Sequence, residues 1–254
     1  MNRTPTEFLK EFQRRAGLLA DGEAGSLTNA ALDRVFGVVP PVTSTTTTGT
    51  VPASISGLVS TSTLQSRLAA AIIDQGRRFC GLQEVRPNQN WDNPDTKGAD
   101  LALVTELRDG MRKSPWEPGW AYCAAFAEFI VANALSQIGA TPEQVAKFRA
   151  VMNPHCMTSV EAFKSRGMLS VFPVAGAIWL AQHGSSSNGH AGLIVKPQDP
   201  SMATIEANTS YGSGGNQREG DWITSRIRPI AGPGELHTRG FVHPEDVLKL
   251  CGML

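Results

Sequence analysis

Residues 118–139 read PGWAYCAAFAEFIVANALSQIG, and the fold turns on how this stretch is read. A Pro-Gly-aromatic break precedes Cys123, and a run of alanine and large apolar residues follows it, interrupted by the acid Glu128. A segment that is apolar all round predicts a buried helix opening at Cys123. The first-turn amides of a helix lack intrahelical partners and carry about half a positive charge, which favours a thiolate over a thiol. Cys123 is therefore either a small core hydrophobe or a nucleophile, and the presence of a base elsewhere in the chain decides between them.

C-terminal to this helix the pattern changes. The segments GAIWLA, HAGLIV, MATIEAN and DWITSRIR are short, β-branched or alternating, and separated by Gly, Ser, Asn and Pro. They predict a small antiparallel meander. Earlier in the chain Leu64, Leu68, Ala71, Ile72 and Gln75 share a helical face, ADLALVTELRDGMRK predicts a second amphipathic helix, and Thr158 to Glu161 reads as a capping-box start. Helices first and strands after predict an α+β domain, with the Cys123 helix packed on the sheet.

The strands supply partners for the cysteine. In SNGHAGLIV a loop delivers His190 into a strand start, and in MATIEANTS the acid Glu206 interrupts an apolar run, with Asn208 two residues later. Strand side chains alternate, so Glu206 and Asn208 are expected on one face and Ile205 and Ala207 on the other. A helix-opening Cys, a strand-opening His and Glu-x-Asn on the next strand together have the layout of a Cys-His-polar site.

The 254 residues and 41% hydrophobic content suffice for a sizeable core. The 23 basic and 23 acidic side chains cancel, and no long like-charge block appears, so neither nucleic acid nor an anionic membrane is an expected partner. The N-terminus, MNRTPTEFLKEFQRR, carries charges where a signal core would be apolar, so the chain is expected to be cytoplasmic at synthesis, without membrane insertion. Cysteines 80, 123, 156 and 251 form no CxxC pair, so reduced thiols and no structural zinc are expected.

Three segments are expected: a short helical module over 1–36, a Thr/Ser/Pro/Gly-rich linker over 37–63 that includes PPVTSTTTTGTVPASISG, and a catalytic domain over 64–254. In the module, Phe8, Phe12, Ala16 and Leu19 recur at helical spacing, Asp21-Gly22 marks a turn and Ser26 caps a second helix. FQRRAGLLADGEAGSLTNAAL resembles the second half of the peptidoglycan-binding repeat of cell-wall hydrolases. A wall-binding role and a structural helical hairpin both remain open for it.

The motifs WAYCAAFAEFIVANAL, GAIWLAQ, GHAGLIV and TIEANTSYGSGGNQREGDWITSRIRPI, with CGLQEVRPNQNWDNP upstream, together resemble the CHAP domain. This is the cysteine, histidine-dependent amidohydrolase/peptidase of the NlpC/P60 superfamily, in the version found in phage endolysins. The resemblance implies a papain-like fold and cleavage of amide bonds in bacterial peptidoglycan, at the muramoyl-alanine amide or within the stem peptide or crossbridge. It implies Cys123 as nucleophile, His190 as base, Glu206 as orienting acid and Asn208 as a further polar member. Trp120, Tyr122, Trp179 and Tyr211 are candidate walls of the substrate groove. RKSPWEPGWAYC holds a single acid, so no calcium or other metal is expected, and no cofactor. A monomer is expected, reaching the wall after holin-dependent release or by injection. The alternatives are a catalytically silent wall-binding or phage structural module, or an injected amidase effector.

Overall fold

A computed structural model describes residues 4–15, 53–84, 91, 101–210, 220–230 and 236–254. The chain divides into two compact units, Met1–Thr50 and Val51–Leu254. In the first, the Phe8 and Phe12 periodicity becomes helix α1 (Pro5–Arg15). Thr4 and Glu7 close its N-terminus reciprocally: Thr4 N–H donates to Glu7 Oε2 at 2.7 Å, and Glu7 N–H to Thr4 Oγ1 at 3.3 Å. The expected second helix at Ser26 and the middle of the linker lie outside the described residues.

The second unit is α+β. Its helices are α2 (Ala53–Arg78), α3 (Leu101–Met111), α4 (Cys123–Gln137), α5 (Pro142–Arg149), α6 (Cys156–Ser165) and α7 (Pro244–Cys251). Helix α2 starts well before residue 64, so the end of the expected linker is helical. The sequence explains this: Ile55, Leu58 and Val59 recur at helical spacing just past Pro52, which ends no helix when it precedes one.

Five strands, β1 (Ile178–His183), β2 (Gly189–Gln198), β3 (Ser201–Thr209), β4 (Trp222–Pro229) and β5 (Leu236–Val242), form one antiparallel sheet in the order β4-β3-β2-β1-β5. The meander from β1 to β4 agrees with the alternation in the sequence, and β5 joins the open side of β1. One sheet face carries Ile178, Leu180, Ala191, Leu193, Ile205 and Val242 into the main core shared with the helices, where α4 packs on β2 and β3. The other face carries a smaller apolar cluster of Ala177, Trp179, Ala181, Ile194, Met202 and Phe241. The period-2 pattern thus feeds both faces, and the polar residues of the second face are those of the candidate site.

Helix α6 corrects one expectation. It opens at Cys156 with His155 at the N-cap position, and Thr158 bonds the His155 ring (Oγ1 to Nδ1, 3.0 Å) where a capping box with Glu161 was expected. Among the described residues no helix is long and apolar enough to cross a membrane.

Candidate active site

The Pro-Gly break works through geometry. Gly119 sits at φ +92°, which turns the chain sharply into α4, and Tyr122 at the N-cap offers no side-chain cap. The first amides of α4 are left for other partners. Asn208 Oδ1 accepts the Tyr122 N–H at 3.4 Å, while the Cys123 sulfur accepts from the N–H groups of Ala124 and Ala191. Cys123 is buried at 5% exposure, with the His190 ring within hydrogen-bond reach of its sulfur.

His190 enters β2 beside β3. Its Nε2 lies 2.9 Å from Glu206 Oε2, which leaves Nδ1 for Cys123. Glu206 is fully buried and ionised, hence an acceptor only, so Nε2 carries the proton. The glycine opposite Glu206 makes room for this arrangement: a Cβ at Gly192 would stand 3.0 Å from Glu206 Cγ and 3.2 Å from Trp179 Cε3. Trp179 meets the His190 ring edge-on, with centroids 5.9 Å apart.

The electrostatics favour charge separation. Burial alone would raise the Cys123 thiol, but the His190 charge, its hydrogen bond and the two backbone amides outweigh burial and hold the thiol below its usual value. Burial lowers His190, yet the Cys123 charge and hydrogen bond, then those of Glu206, lift it from 6.5 to about 9. Glu206 is held well below the usual carboxylate range: its desolvation is exceeded by hydrogen bonds and charges from Arg228 and His190. The arrangement supports a thiolate–imidazolium pair oriented by a fixed carboxylate.

Compared with known protein families, curated proteins and solved structures, the chain matches none of them.

Of the expected site residues, the structure brings Cys123, His190 and Glu206 together in one chain of contacts. Asn208 joins them differently. A register shift between Glu206 and Thr209, with Asn208 at φ +55°, breaks the alternation and carries its amide to the start of α4. The expectation for the groove walls is corrected at two positions. Tyr122 is fully enclosed, edge-on to Trp91 at 5.4 Å, and Trp179 is buried with its Nε1–H on Thr238 Oγ1 at 3.0 Å. Both are large aromatics that the interior claims for apolar burial. Trp120 is 55% exposed and lines a surface groove of about 600 Å³ with Pro115, Ala121, Asn153, Pro154 and His155. Tyr211 lies outside the described residues.

Sequence reasoning missed three features: the approach of Asn153 and Pro154 to the groove, Cys156 and Arg228. Asn153 and Pro154 precede α6 and reach the groove only through tertiary packing. Cys156 is buried, and its S–H points at the carbonyl of His190 at 3.1 Å, tying α6 to the strand that carries the ring. Burial, and then the charge of Cys123, pushes that thiol far above its usual value, so it stays protonated. Third, Arg228 of β4 clasps Glu206, and the alternation Arg226-Ile-Arg228 was the available signal for a charged partner on that face. Among the described residues no cluster of three or more His, Cys, Asp or Glu residues could hold a metal ion.

Proposed function

We propose that this protein is a papain-like, cysteine-dependent amide hydrolase of the CHAP type acting on bacterial peptidoglycan. The observation that carries the reading is the His190 ring, which reaches the Cys123 sulfur on one side and holds Glu206 Oε2 at 2.9 Å on the other.

Cys123 transfers its proton to His190 Nδ1, and the thiolate attacks an amide carbonyl to form a tetrahedral oxyanion. First-turn amides of α4 are the available donors for that oxyanion, each good donor contributing about 3 kcal/mol. Collapse expels the amine, protonated by His190, and leaves a thioester, which water hydrolyses with His190 acting as base. Glu206 fixes the tautomer with Nδ1 facing sulfur and stabilises the imidazolium. The groove beside Trp120 supports the substrate class, since an exposed indole flanked by Pro115 and Pro154 is a stacking surface for a sugar ring or peptide stem. The protein would act on the wall after holin-dependent release or injection, as a monomer.

The test is incubation of wild type and Cys123→Ala with purified sacculi, followed by mass spectrometry of the released fragments. Cysteine-dependent release of whole stem peptides is the result for an amidase, and shortened stems or opened crosslinks the result for an endopeptidase. Equal release by both proteins, or none from a folded wild type, removes the proposal.

A further inference from the structure

Glu206 has no acceptor capacity to spare. Its Oε1 takes the Thr204 hydroxyl at 2.6 Å and Arg228 Nε at 2.8 Å, and its Oε2 takes His190 Nε2 at 2.9 Å and Arg228 Nη2 at 2.6 Å. The same Arg228 Nη2 lies 3.3 Å from Thr209 Oγ1, so that nitrogen is tied to β3 at two residues. Its side chain is 11% exposed, against zero for Glu206. The strand order places arginine on β4, glutamate on β3 and histidine on β2, three neighbouring strands, with the thiol beyond them at the start of α4. A buried row of alternating charge results, running Arg228, Glu206, His190, Cys123. A forked, permanently charged arginine suits the two-oxygen grip that such a row needs at its end.

We infer that Arg228 is a positioning residue that sets the pH range in which Cys123 is a thiolate, acting through Glu206 and His190. The inference rests on reading Cys123, His190 and Glu206 as one reactive group. With all four charges present the cluster is neutral overall. Deleting the guanidinium leaves it one negative charge in excess in a poorly solvated place, so every group in the row holds its proton more tightly. The thiol then ionises only at higher pH. The other titratable or charged groups facing the row are His183 on β1, whose ring lies 6.3 Å from that of His190, Cys156 on α6, and Arg226 on β4. Behind Tyr122 stand Glu84 and Asp221. Each is present in both proteins compared below, so their fields cancel in the difference.

The test reads the thiolate directly, by ultraviolet difference absorbance between each protein and its Cys123→Ala counterpart, titrated against pH at fixed ionic strength. Wild type should ionise below the ordinary thiol value of about 8.5. Arg228→Met should move that midpoint up by about one pH unit or more. Arg228→Lys, which keeps the charge and loses the fork, should bring the midpoint most of the way back to the wild-type value. If the methionine variant does not fold, Arg228→Gln carries the same test, being neutral with a donor retained for Glu206. An arginine that only braces the fold would lower the melting temperature and leave the midpoint of the folded protein unmoved, which overturns the inference. A wild-type midpoint at the ordinary thiol value overturns the reactive-group reading as well. A depressed midpoint that moves with Arg228, in a protein that leaves sacculi intact, would remove the proposed substrate and keep the inference.

Discussion

At the scale of single residues, the site is a problem of placing one proton. Glu206 can receive the Nε2–H of His190 but has no reason to take its proton, because four donors already occupy its two oxygens. Glu206→Gln keeps the shape and removes the charge. The imidazolium then loses a stabilising partner, so its proton leaves at a pH below the present value of about 9. The alkaline limb of activity, which belongs to the coupled Cys-His pair, should shift to lower pH, with a rate loss of about 10²- to 10⁴-fold from the disordered tautomer. A pH profile of sacculus hydrolysis checks both. With a proton affinity raised from 6.5 to about 9, His190 stabilises the fold fully below the lower value. That contribution disappears as the pH climbs through the upper one.

At the scale of elements, α4 is held by α2, α3 and α5 and by the sheet. Its one acid, Glu128, is buried at the contact with α5, where Arg149 Nη1 stands 2.7 Å from Oε1. Burial raises this carboxyl from 4.5 to about 7 against the pull of Arg149, Ser114 and Lys113. The folded protein therefore favours the protonated acid, and a penalty develops as the pH rises from 4.5 and is complete above about 7. Glu128→Gln should raise the melting temperature above pH 7 and leave it unchanged below pH 4.5, with Arg149, 19% exposed, turning to solvent. A variant less stable than wild type at the upper pH would mean that the ion pair outweighs its desolvation. The α3–α4 contact is tighter still. A Cβ at Gly110 would stand 2.1 Å from the Phe129 ring, so Gly110→Ala should cost about 1–3 kcal/mol, measured by chemical denaturation.

At the scale of the whole molecule, every described residue of the candidate site belongs to the unit Val51–Leu254. A fragment of residues 51–254 should keep the Cys123 thiolate titration and the cleavage of soluble wall fragments. If the N-terminal piece binds wall, the same fragment should lose sedimentation with intact sacculi. Retained binding would assign that piece a structural role.

Much of this arrangement was legible in the residue pattern, because local rules operate there. The Pro-Gly break followed by an all-apolar run placed the start of α4 at Cys123, and the alternation of GHAGLIV and TIEAN placed His190 and Glu206 on neighbouring strands. Asn208, Tyr122 and Trp179 departed from expectation because a strand bulge and the demand for buried aromatic surface are set by neighbours distant in sequence. The α+β order, the helix that presents Cys123 and the strand that carries Glu206 follow from the residue pattern alone, since helix and strand periodicity are short-range properties. That Arg228, coming from an edge strand, completes the row of charges is a property of the folded sheet, because pairing a buried carboxylate with its cation depends on strand order and register.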